Sequence, residues 1–161
     1  MWKRSKSSGP SDASDDALTV MARAVYINCD LGFVVGLVTH RIERLGSLVW
    51  WSERVFDSEP DLNDAIAVDK WRWAVWFPVG SAVRRKILTS IGNMPVPEGL
   101  RDIPTMRSNL GANGWVAVEF VDGTSRTLGH TTDKSLPPYM IVNDTRLKEM
   151  LVSGWVPENK W

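Results

Sequence analysis

The chain has 161 residues, 19 Lys+Arg against 19 Asp+Glu, and 43% hydrophobic positions. That length and apolar content fit one domain able to bury roughly two-thirds of its unfolded surface, and they exclude wholesale disorder. Zero net charge argues against a dedicated nucleic-acid binder, one Cys excludes an intramolecular disulfide or a Cys-rich zinc site, and two His leave little for a His-based metal site.

Residues 1–20 read as a flexible tail, with basic Trp2 to Lys6, small polar Ser7 to Ser11 and acidic Asp12 to Asp16. Such composition cannot bury enough area to offset its ordering entropy. No apolar run follows the basic residues, as a secretory signal requires, and no window approaches the ~18 apolar residues of a membrane span. Met21 offers a second start. Unpaired Cys29 fits a reducing cytosol, so a cytoplasmic protein is expected. Residues 21–161 are expected to form a single α+β domain.

The domain opens as a meander. Ala22 to Cys29 alternates, with Val25, Ile27 and Cys29 on one face. Phe33 to His40 and Leu48 to Phe56 follow after short turns, and links that short make antiparallel pairs. Between Val55 and Asp69 there is no Lys or Arg, while Asp57, Glu59, Asp61 and Asp64 accumulate. Asp61 can open a short helix. Trp71 to Phe77 alternates as a strand that Pro78 ends.

Ser81 through Ile91 carries Val83, Ile87, Leu88 and Ile91 at helical spacing, with Gly92-Asn93 as a C-terminal stop. Met94 to Gly114 reads as a long ordered loop, with three Pro and three Gly. Asp122-Gly123 between Trp115–Val121 and Thr124–Gly129 predicts a tight hairpin. Tyr139 to Val142 reads as a short strand. Asn143 or Asp144 then caps a helix bearing Leu147, Met150 and Leu151, with Val142 and Leu147 placed for a hydrophobic staple and Gly154 as its stop. The predicted class is α+β, a mostly antiparallel sheet with two or three packed helices.

Candidate chemistries are few. Cys29 and His40 stand on adjacent predicted strands, but a strand-interior Cys is more often structural than nucleophilic. No G-x-S-x-G elbow occurs. His40, His130 and Asp133 lack metal-ligand spacing, and Gly111 to Gly114 lacks the Lys and helix of a phosphate loop. No catalytic residue, metal or cofactor is therefore assigned. The acidic run reads better as a binding surface, because unneutralised acids steer a basic partner. Arg84, Arg85, Lys86, Arg101, Arg107 and Arg126 form an opposing basic set, with nucleic acid a minor reading. Trp50-Trp51 are consecutive, and Trp76 alternates with Trp71 and Trp73. Some of these rings must face away from the first core, towards a partner or a second covered face.

Pro78-Val79-Gly80, Ala82 to Ile87, Val96-Pro97, Ile103 to Arg107, Gly114-Trp115, Ile141 to Leu147 and Ser153 to Glu158 form a pattern that resembles small bacterial proteins. The strand-rich opening from Gly32 to Trp51 is similar to cytosolic immunity proteins that neutralise polymorphic toxins. Thr105-Met106 stands where that pattern would place an apolar or aromatic pair. The resemblance implies a non-enzymatic protein that occludes a basic toxin domain. The expected partner surface comprises Asp57, Glu59, Asp61, Asp64, Trp51 and Trp76. A second resemblance, through Trp71, Gly80 and Lys86 to Leu88, is to rhabdovirus matrix proteins, and implies a viral or phage structural role. An enzyme with an unrecognised carboxylate site is the third expectation.

Overall fold

The computed structural model describes residues 19–158, so most of the expected tail, residues 1–18, lies outside the described residues. The opening meander is as expected: β1 (Met21–Cys29), β2 (Gly32–Ile42) and β3 (Gly46–Phe56) pair antiparallel in succession. Two glycines make its turns. Gly32 has φ +125° and a Cβ there would lie 2.5 Å from the Phe56 carbonyl oxygen; Gly46 has φ +87° and would approach the Phe77 carbonyl oxygen to 2.8 Å. Both need the left-handed region and the missing side chain.

After β3 come α1 (Leu62–Ile66), β4 (Trp71–Phe77), α2 (Val79–Arg84) and β5 (Leu88–Pro95). The first sheet has the order β4-β3-β2-β1-β5. β6 (Met106–Asn109), β7 (Trp115–Val121) and β8 (Thr124–His130) form a second antiparallel sheet, and α3 (Asp144–Val152) closes the described chain. The fold is therefore α+β with mostly antiparallel sheet.

Three local expectations need correction. The helix predicted over Ser81 to Ile91 ends at Arg84; Lys86 turns the chain through φ +59°, and Leu88–Pro95 becomes a strand on β1. A longer helix would leave the β1 edge unpaired, and a full ladder outweighs helical spacing. The stretch from Met94 to Gly114 is no continuous loop, since Met106–Asn109 pairs with β7. Tyr139 to Val142 forms no ladder: Ile141 makes an isolated bridge to Trp76, and Pro138 just before it bridges Arg107. Its segment runs between the sheets: Trp76 N–H donates to the Met140 carbonyl, and Arg107 N–H donates to the Pro137 carbonyl.

The first sheet is covered on both faces. On one, Val25, Ile27, Trp51, Trp73 and Phe77 pack under α2 and α3, with Ala82, Leu147 and Leu151. On the other, Ala24, Leu37 and Phe56 pack under α1 and the segment after β5. Leu48, Ala74 and Trp76 pack there too, against Met106 and Phe120 of the second sheet. Strands covered on both sides hold apolar residues at successive positions, as β4 does.

Candidate functional site

The acidic run leaves the end of β3. Asp57 and Glu59 are exposed, whereas Pro60 is buried and pins the chain between them and α1. Asp61 is the N-cap of α1. Its Oδ1 accepts from the Asp64 backbone N–H at 2.9 Å, and Asp64 Oδ2 accepts from the Asp61 N–H at 3.0 Å. This reciprocal capping box satisfies two helix-end donors and fixes where the helix starts. Asp61 and Asp64 therefore serve folding, while Asp57, Glu59 and Asp69 have no such duty. Among the described residues none of these five carboxylates makes an ion pair. The helix rests on Ala65, with Val68 just beyond it, both buried in the core, and Ile66 is exposed beside the acids.

Trp51 and Trp76, expected among the partner-binding residues, are corrected by burial: both are 0% exposed. Trp51 faces α2 and α3. Its ring lies across Gly36, where a Cβ would come within 2.9 Å of a ring carbon. Trp76 does alternate with Trp73, but the second sheet covers that side, with the Phe120 ring 5.4 Å away. The indole N–H groups of both find no acceptor among the described residues. Alternation predicts which face a residue takes, and here neither face meets water. Trp71, expected beside Trp73, packs instead against the cluster on the opposite face, next to a register shift between Trp50 and Ser52.

The remaining candidates are not brought together. Cys29 is buried and its thiol donates to the Gly32 carbonyl at 3.3 Å. His40 lies near the other end of β2, with Nδ1 3.0 Å from Thr39 Oγ1. Burial lowers the His40 pKa from 6.5, against the opposing pull of an Arg101 backbone hydrogen bond and the Asp102 charge. His130 is exposed at the end of β8. Asp133, expected with it, is exposed too, and hydrogen bonds from Ser135 lower its pKa. Among the described residues no group of three or more His, Cys, Asp or Glu is placed to hold a metal ion.

The basic set disperses. Arg85 pairs with Asp144 at 3.3 Å and Arg126 pairs with Glu119. Arg107 is buried, stacks 4.5 Å from the Trp115 ring centroid and donates to the Pro157 carbonyl. A hollow of about 520 Å3 beside α3 gathers Asp30, Asp144 and Glu149. There Asp144 pairs with Arg85 and Glu149 with Arg146. Among the described residues no helix is long and apolar enough to cross a membrane.

Comparison with protein-family models, with curated proteins and with solved structures yields no match. Site residues must therefore come from geometry. Ile66 was missed by pattern alone, since a five-residue helix is too short to display a face. The exposed arginines Arg23 and Arg41 were missed because each stands alone in a strand.

Proposed function

We propose that the protein is a non-enzymatic binding protein of immunity type, which presents the segment from Asp57 to Asp69 to a basic protein partner and occludes that partner's active site. The observation that carries this reading is the set of carboxylates at Asp57, Glu59 and Asp69, exposed and without ion pairs among the described residues. Uncompensated charge on a surface fixed to the core raises the encounter rate with a basic partner and specifies its orientation. Ile66, half exposed on α1, supplies the apolar contact, since Trp51 and Trp76 are buried. A cytoplasmic setting and a toxin as partner belong to the same proposal.

The test is co-purification with the product of the adjacent gene. Asp57→Lys with Glu59→Lys reverses charge without touching the capping box of Asp61 and Asp64. Retention of the partner should fall by about tenfold or more, which corresponds to about 1.4 kcal/mol. Undiminished retention by a folded double variant overturns the surface.

A further inference from the structure

A cleft of about 550 Å3 lies between α2 and neighbouring ends of β1, β2 and β3. Arg23 of β1, Arg41 of β2 and Arg84 of α2 line it, against the single carboxylate of Glu43. All three arginines are exposed, and none makes an ion pair among the described residues. Arg84 folds back along its own helix, its Nη1 3.9 Å from where a Cβ on Gly80 would sit, and Gly80 is also part of the cleft wall. Ser81 adds a hydroxyl.

Three guanidinium groups from three separate elements repel one another, and a concave wall concentrates their field. A multiply charged anion relieves that repulsion. Guanidinium forks match phosphate oxygens in pairs, and the volume lies within the ~300–1,000 Å3 range of small-molecule sites. We propose that this cleft binds a small phosphorylated molecule, its phosphates held by Arg23, Arg41 and Arg84. No residue from Asp57 to Asp69 lines the cleft. The 11 residues of β3 span roughly 35 Å from Gly46, in the cleft, to Phe56, just before Asp57.

The test is calorimetric titration of the full chain with inorganic pyrophosphate, with circular dichroism to confirm folding of each variant. Wild type should bind pyrophosphate. Arg23→Gln, Arg41→Gln and Arg84→Gln should each weaken binding about tenfold, and the triple variant should abolish it. Lys70→Gln, and Asp57→Lys with Glu59→Lys, should leave it unchanged, so this result stands or falls apart from the acidic surface. Sulfate should bind at least about tenfold more weakly than pyrophosphate. No heat at millimolar pyrophosphate, equal binding of sulfate, or full binding by the triple variant overturns the proposal. A short single-stranded oligonucleotide that binds more tightly than pyrophosphate, with the same arginine dependence, also overturns it in favour of a strand-backbone site.

Discussion

Gly36 is the notch that lets Trp51 lie flat across β2. A Cβ there would come within 2.9 Å of both the Trp51 ring and a Val49 methyl. Gly36→Val should therefore cost about 1–3 kcal/mol through overpacking, read as a lower urea midpoint. Trp73 works differently: its indole donates to the Trp155 carbonyl at 2.8 Å and packs edge-on against the Trp155 ring. Trp73→Phe should cost about 1–3 kcal/mol, because the carbonyl is left buried without that donor. His40 sets a pH dependence. Its folded pKa lies below 6.5 because burial disfavours the imidazolium, so the unfolded chain binds more protons. Its contribution is present above about pH 6.5 and is lost as pH falls through that value toward the folded pKa. His40→Leu should flatten the drop in urea midpoint between neutral pH and about pH 5; an unchanged slope assigns that drop to other groups. At this scale the Trp residues were half legible. Alternation separated Trp76 from Trp73, but it missed Trp71 beside the register shift and did not show that a second sheet and three helices leave neither side open.

Element identity was legible wherever local chemistry and tertiary demand agree. Asp122-Gly123 turns the β7–β8 hairpin with φ of +49° and +76°, the doubly positive conformation that its residues announce. Asn143 caps α3 by accepting from the Arg146 N–H at 2.8 Å, and Val142 and Leu147 are buried in one cluster as a staple requires. Asn143→Ala should lower stability by about 1 kcal/mol, seen as a few degrees in melting temperature. The stretch after Gly80 failed because its local and tertiary preferences conflict. Val83, Ile87, Leu88 and Ile91 satisfy a helical period, yet the β1 edge takes Leu88–Pro95 as its fifth strand. The register shifts there between Ala24 and Val25, leaving Ile91 as an extra residue. That bulge turns Leu88 towards α3 and Met94 towards the α1 side, so the strand shows no period of two. The short β6 carried no signal either, because Met-Arg-Ser-Asn lacks β-branched residues and is held by its partners, the β7 ladder and the bridge from Arg107 to Pro138.

Across the molecule, the balanced charge is an arrangement of separate parts. The acids gather after the end of β3, and the arginines of the cleft gather at its start. The acidic run was visible as a linear segment without Lys or Arg. The cleft was not, because Arg23, Arg41 and Arg84 meet only through the meander and α2. Both surfaces rest on a doubly covered sheet, so charge changes at Asp57 or Glu59 should alter stability by less than about 0.5 kcal/mol. Any loss of binding they cause is then a loss of contact rather than of fold. The most direct measurement is the dissociation constant for the adjacent gene's product, determined at low and high salt for wild type and for Asp57→Lys with Glu59→Lys. The acidic-surface account predicts binding that weakens with salt in the wild type, and affinity at least about tenfold lower with a shallower salt dependence in the variant. Equal affinity and equal salt dependence in the two proteins would contradict it.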